Sequence, residues 1–184
     1  RATARTFADA ARDAGVGRVV YLGGLVPQGE ALSPHLASRT EVGEILLASG
    51  VPTTVLRAAV ILGSGSASFE MMRYLTERLP AMTVPRWVSN RIQPIAVRDV
   101  LRYLVGSAAM PPDVSRAFDI GGPEVLTYRD MMQRYARIAG LPRRVIVPVP
   151  VLSPRLSSLW VSLVTPVPGG LARPLVESLV HEVV

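Results

Sequence analysis

Apolar positions recur at helical spacing from the first residue. Ala4, Phe7, Ala8 and Ala11 share one face between Arg1 and Ala14, and Gly15 follows. That pattern predicts an amphipathic helix closed by glycine. Val19-Val-Tyr-Leu22 is a short apolar run stopped by Gly23 and Gly24. It predicts a buried strand whose end lets the backbone turn and lets another group approach closely. Ser33 to Leu47 predicts a helix. Ser33 suits the N-cap, Pro34 the first helical position, Val42, Ile45 and Leu46 the buried face, and Gly50 the stop. Thr53 to Arg57 is β-branched and apolar, as an interior parallel strand should be. Ala67 to Leu79 predicts a helix with Phe69, Met71, Met72 and Leu75 inward. Met82 to Trp87 is extended, and Pro85 favours an edge or loop. Asn90 to Val100 reads as a short strand running into a helix over 100–108. Ala117 to Ile120 is a strand ending at Gly121-Gly122. Thr127-x-x-Asp130 opens a helix over 128–139 as a capping box, with Met131, Tyr135 and Ile138 inward and Gly140 at its end. Arg143 to Val149 is a further strand.

Strands and helices therefore alternate, which predicts an α/β fold: the second half of a Rossmann-like, doubly wound parallel sheet with a small α/β domain beside it. Residues 1–110 are assigned to the sheet domain, and 111–184 to a substrate-side region with an apolar tail. In such sheets, ligands sit beyond the carboxyl ends of the strands. His35 and Arg39 are four apart, on one face of the opening turns of a helix, and the strand–Gly-Gly–loop–helix unit aims them at that place. The tail carries Pro148, Pro150, Pro154, Pro166, Pro168 and Pro174 between apolar segments. Leu156, Leu159, Trp160, Leu163 and Val164 make a wide stripe on one predicted helix, and 171–184 suggests another. The stripe over 156–164 either packs on the substrate-side region or meets a membrane surface, a second subunit or a following domain.

Composition narrows the chemistry. The chain has 184 residues, 49% of them hydrophobic, with mean hydropathy +0.32 and no cysteine. Disulfides and thiolate metal sites are excluded, and two histidines, His35 and His181, exclude a His-rich metal site. No signal peptide and no apolar run of transmembrane length is present, which reads as a cytoplasmic protein, peripheral to a membrane at most. The net charge is +6, yet the twenty basic residues are spread along the chain rather than gathered into a stripe, so a nucleic-acid partner is not expected. All twenty are arginine. Without lysine there is no Schiff base, and any cationic role falls to a group that does not release its proton near neutral pH.

The strand, Gly-Gly, loop and helix from Arg18 to Gly50 resemble the second half of a short-chain dehydrogenase/reductase, in its atypical, NmrA-like branch. The resemblance runs roughly from Val19 to Val184. Leu56-Arg57-x-x-x-Ile61-x-Gly63-x-Gly65 is similar to the segment that lies against the nicotinamide in that superfamily. Gln93-Pro-Ile-Ala-Val-Arg-Asp-Val100 is similar to the signature of extended and atypical members. Active members carry Ser or Thr at the strand end and Tyr-x-x-x-Lys on the helix. Here Gly23-Gly24, His35 and Arg39 take those positions. The resemblance implies an NAD(P) cofactor, NADP slightly favoured, touched by Gly23, Gly24, Leu25, Arg39, Arg57, Ala58, Ala59 and Val60. It implies a small-molecule substrate near Arg91 and Gln93. Arg57 either lies against the nicotinamide or pairs with a carboxylate such as Glu41, and the two are compatible. Asp99, near a helix start, suits capping better than catalysis. No G-x-x-G-x-x-G or G-x-G-x-x-G turn occurs in the sequence. The expectation is that the chain is the C-terminal portion of a longer protein and is cut short at its other end too.

Two functions stand on these residues. One is an NAD(P)-dependent oxidoreductase with His35 as the acid or base, since its pKa lies near neutrality. The other is a non-catalytic NAD(P)H-binding sensor or assembly protein, in keeping with the lost Ser, Tyr and Lys.

Overall fold

A computed structural model describes residues 1–26 and 32–149. In chain order the elements are α1 (Ala2–Asp13), β1 (Val19–Gly24), α2 (Pro34–Leu47), β2 (Thr53–Ala58) and β3 (Ile61–Leu62). There follow α3 (Ala67–Arg78), β4 (Ala81–Pro85), a 3-10 turn (Arg86–Ser89), β5 (Arg91–Ile92), β6 (Ile95–Ala96) and α4 (Val97–Ala108). The last are β7 (Arg116–Ile120), β8 (Leu126–Thr127), α5 (Tyr128–Ile138) and β9 (Val145–Val149). The expectations for the proline-rich tail, including the stripe over 156–164, fall on residues outside those described. Among the described residues no helix is long and apolar enough to cross a membrane.

The chain forms two compact units that interleave in sequence. The first is Arg1–Ala59 with Ile95–Gly122, and the second is Val60–Pro94 with the described residues from Pro123 on.

The first unit is built on a parallel sheet in the order β1-β2-β7. β2 is its middle strand, and Thr53, Thr54, Val55, Leu56 and Ala58 are all at most 4% exposed. Two threonines are tolerated there because both hydroxyls are bonded. Thr53 Oγ1 donates to the Leu46 and Val51 carbonyls, and Thr54 Oγ1 accepts from Arg18 Nη1 at 2.8 Å. Arg18 also donates to the Val114 and Pro111 carbonyls, fastening the loop before β7 to the sheet. α2 and α4 both lie against β1 and β2, and α1 lies against α2. Ala8 and Ala11 of α1 join Val19, Leu46 and Val51 in one cluster, with Tyr21, Val42 and Ile45 packed beside it.

Helix ends follow the local chemistry. Ser33 caps α2, its Oγ accepting from the Leu36 N–H at 3.3 Å, with Pro34 at the first helical position. α1 closes with the glycine signature: the Gly15 N–H donates to the Arg12 carbonyl, the Val16 N–H donates to the Ala11 carbonyl, and Gly15 has φ +66°. Gly140, at φ +69°, ends α5 the same way.

The second unit packs α3 on α5 and pairs β4 with β9 in parallel and β5 with β8 antiparallel. Met71, Met72, Leu75, Tyr128, Met131 and Met132 form its centre, each at most 5% exposed. The expected capping box is present: the Asp130 N–H donates to Thr127 Oγ1, and the Thr127 N–H donates to Asp130 Oδ2, both at 3.1 Å. Arg144 is 6% exposed, its Nε donating to the Thr76 carbonyl at 2.8 Å. Gln133 bonds both the N–H and the C=O of the Arg144 backbone.

Some expected faces are corrected. Phe7 is 54% exposed and Ile138 82%, so neither joins a core. The inward face of α5 is Tyr128, Met131, Met132 and Ala136 instead. The buried residues of α2 are Leu36, Gly43 and Leu46, with Val42 and Ile45 half-buried. α4 begins at Val97, three residues before the expected start.

Candidate functional site

The carboxyl ends of the first unit's three strands stand level. Gly23 pairs in register with Arg57 and Arg57 with Asp119, while Gly24 pairs with Ala58 and Ala58 with Ile120. Just beyond, the Leu25 N–H donates to the Ala58 carbonyl at 3.0 Å, extending the ladder past the end of β1. On that edge Gly23, Gly24 and Ala58 carry no side chain larger than a methyl, while Arg57, Asp119 and Ile120 stand beside them.

Arg57 is held on that edge by Asp119. Its Nε and Nη2 donate to the two carboxylate oxygens at 2.6 and 3.0 Å, a forked pair across neighbouring strands. The carboxylate partner of Arg57 is therefore Asp119, the residue opposite it in register. Glu41 pairs with Arg1.

The start of α2 lies close over the end of β1, and glycine is what permits it. A Cβ built on Gly24 would stand 3.0 Å from Leu36 Cδ2 and 3.9 Å from Arg39 Cδ. One on Gly23 would stand 3.3 Å from Tyr21 Cε1. The close approach foreseen at the paired glycines is thus made in part by the chain itself. It brings the Arg39 stem to the strand end, and the Tyr21 hydroxyl adds a bond to the Arg39 carbonyl at 3.4 Å. Further along α2, Gly43 lets the helix sit on β2, where its Cβ would stand 3.4 Å from Val55 Cγ1. Sequence reading passed over Gly43 and Leu36. Leu36 follows a proline and a histidine, off the i, i+3, i+4 pattern of Val42, Ile45 and Leu46.

His35 and Arg39 are both exposed on the first turns of α2. Among the described residues no carboxylate pairs with the Arg39 guanidinium, which leaves that charge available beside the glycine edge. The His35 imidazole is held below its ordinary pKa, first by partial burial and then by the nearby Arg39 charge. It is therefore predominantly neutral at pH 7, a form that accepts a proton.

Gly23, Gly24, Leu25, His35, Arg39, Arg57, Ala58 and Ala59 all stand in the first unit. Val60, Arg91 and Gln93 stand in the second. Val60 is buried there, Arg91 is exposed on β5, and Gln93 is half-buried after it. Asp99 lies in the first turn of α4 and pairs with Arg102 at 3.5 Å. Among the described residues no group of acidic or histidine side chains could hold a metal ion.

No family model and no curated protein matches the sequence. Solved structures do match the fold. A nucleoside-diphosphate-sugar epimerase from Staphylococcus aureus superposes with a TM-score of 0.70 at 18% identity, over 97% of this chain and 58% of that one. The UDP-glucuronic acid 4-epimerase from Bacillus cereus, solved with NAD, gives 0.64 at 12% identity over 94% and 66%. MoeE5, solved with UDP-glucose and NAD, gives 0.64 at 19% identity over 80% and 57%. The protein thus has the Rossmann-like α/β fold of these structures. It spans somewhat more than half the length of these structures.

Proposed function

We propose that the protein is an NAD(P)-binding oxidoreductase of the atypical, NmrA-like kind, acting on a small-molecule substrate, with NADP slightly preferred to NAD. The observation that carries this reading is Arg39, unpaired among the described residues, beside the glycine end of β1, with His35 one turn before it on the same helix. The solved structures of like fold that were determined with NAD support it.

The residues present fit the nicotinamide end of such a cofactor. A guanidinium without a carboxylate partner among the described residues suits ribose hydroxyls or a phosphate. Gly23 and Gly24 of β1 with Leu25 just after it, and Arg57 and Ala58 of β2 with Ala59 just after it, would line the ring. Arg39 would hold the charged or hydroxylated part. Asp119 keeps Arg57 in place along the edge rather than turned toward a ligand. A bound nicotinamide supplies hydride transfer. The protein's own share is proton handling at His35, whose neutral imidazole takes the proton from a substrate hydroxyl in the oxidising direction and returns it in the reducing one.

The test is fluorescence titration with NADPH and NADH, together with a turnover screen over small carbonyl and hydroxyl compounds. NADPH is expected to bind the wild type, and His35→Ala to bind it equally while losing turnover. Binding by the wild type with no turnover on any compound would favour the sensor or assembly role. Absence of NADPH and NADH binding would overturn the reading.

A further inference from the structure

The second unit contains a hollow of about 30 Å³ walled by Met71, Met72, Met131 and Met132, with Trp87 and Tyr128. Four of the chain's six methionines line this one place. Among the described residues no charged side chain lines it. Trp87 stands edge-on to Tyr128, ring centres 5.8 Å apart and planes at 89°. Its indole Nε1–H is buried and has no acceptor among the described residues.

These facts bear on each other. A buried donor without an acceptor is costly, so something accepting a hydrogen bond is favoured beside it. Water suits the place poorly, since a buried water wants about three hydrogen bonds and the walls are almost wholly apolar. The absence of charge excludes an anion or cation. Methionine side chains are unbranched and pliable, so a small hollow walled by four of them can widen around a guest as one walled by Val or Ile could not.

We propose that this hollow binds a neutral, apolar small molecule carrying one hydrogen-bond acceptor, of the kind a cyclic or branched ketone presents, with the Trp87 indole N–H donating to that acceptor. The site lies wholly within the second unit and does not depend on the cofactor reading.

Cyclohexanone and methylenecyclohexane test it, because they share a shape and differ in the acceptor. In ¹⁵N-labelled protein with Trp160→Phe, the remaining indole N–H resonance belongs to Trp87. Cyclohexanone is expected to move that resonance downfield and to saturate. Methylenecyclohexane should bind about two- to tenfold more weakly, the factor one neutral hydrogen bond supplies, without the downfield shift. Trp87→Phe should erase the preference between the two while leaving the hydrocarbon's affinity in place. The proposal is overturned if cyclohexanone gives no saturable shift, if both probes bind equally to the protein that retains Trp87, or if the resonance reports a bound water that neither probe displaces. The comparison of two probes on unaltered Trp87 decides the matter even if Trp87→Phe does not fold.

Discussion

Two glycines around α2 are expected to respond oppositely to alanine. Gly24 has an ordinary negative φ, so alanine costs nothing in backbone strain and gains a few tenths to about 1 kcal/mol from the stiffer unfolded chain. Its new methyl, however, would stand 3.0 Å from Leu36 Cδ2. Leu36 is 8% exposed and has little room to withdraw. Overpacking of this kind costs about 1–3 kcal/mol, so Gly24→Ala should be net destabilising by about 1 kcal/mol. Gly43→Ala meets Val55 Cγ1 at 3.4 Å, an ordinary contact, and replaces a mid-helix glycine, a change favourable by about 0.5–1 kcal/mol. Thermal unfolding should therefore show a fall of about 2–4 °C for Gly24→Ala and a rise of similar or smaller size for Gly43→Ala. Because the displaced turn carries His35 and Arg39, Gly24→Ala should also weaken NADPH binding, and Gly43→Ala should not. A double-mutant cycle with Leu36→Ala isolates the clash, since the alanine at position 24 should cost less once Leu36 is trimmed. The reasoning fails if Gly24→Ala is as stable as the wild type, or if its cost is unchanged by Leu36→Ala.

Arg39→Ala should weaken NADPH binding by about 1–3 kcal/mol, the range for hydrogen bonds to a charged group, and a titration showing no loss would remove Arg39 from the site. His35, with its pKa lowered in the fold, should make oxidation fall only as pH drops below the ordinary histidine value. Reduction, which needs the protonated ring, should instead improve there, and pH–rate profiles in the two directions would show opposite slopes. Thr127→Ala should cost about 1 kcal/mol through the lost cap, measured by denaturant unfolding. The Asp130 carboxyl is held below its ordinary pKa, chiefly by the Thr127 hydroxyl, so its contribution is complete above the unfolded carboxylate value and is lost as pH falls through the folded one. Thr127→Ala should therefore flatten the acid limb of the stability curve.

Where local chemistry decides, the chain could be read directly. Ser33-Pro34, Thr127-x-x-Asp130, Gly15 and Gly140 each carry their own cap signal, and each cap is found. The runs at Val19 and Thr53 are apolar without alternation, as strands covered on both faces must be, and both lie in the parallel sheet. What failed was choosing which apolar residues of a helix point inward. Ile138 fits the stripe of α5, but it is the last residue of that helix, where the next turn that would cover it is absent. Phe7 fits the stripe of α1, whose inner face is set by two alanines that come close to the neighbouring cluster. The partner of Arg57 was hidden for a different reason. Asp119 lies sixty-two positions away in the chain and meets it only through strand register. The interleaving of the two units, and the burial of Arg144, follow from pairings of the same long range, which no periodicity along the chain records.

The absence of lysine gives the candidate site a particular division of labour. A lysine beside a tyrosine can both hold a ligand and lower its neighbour's pKa, so charge and proton transfer become one device. An arginine four residues after a histidine separates them. Arg39 keeps its charge through the working range and can only bind. Burial first and then the same charge lower the His35 pKa, which leaves the imidazole neutral and ready to accept a proton. Each residue thus bears on the other's role through one turn of α2, and the two effects part under mutation. Arg39→Ala should raise the His35 pKa toward the ordinary value as well as weaken binding, whereas Arg39→Lys should keep the pKa low. The pH midpoint of turnover therefore reports the charge at position 39, and the binding constant reports its geometry.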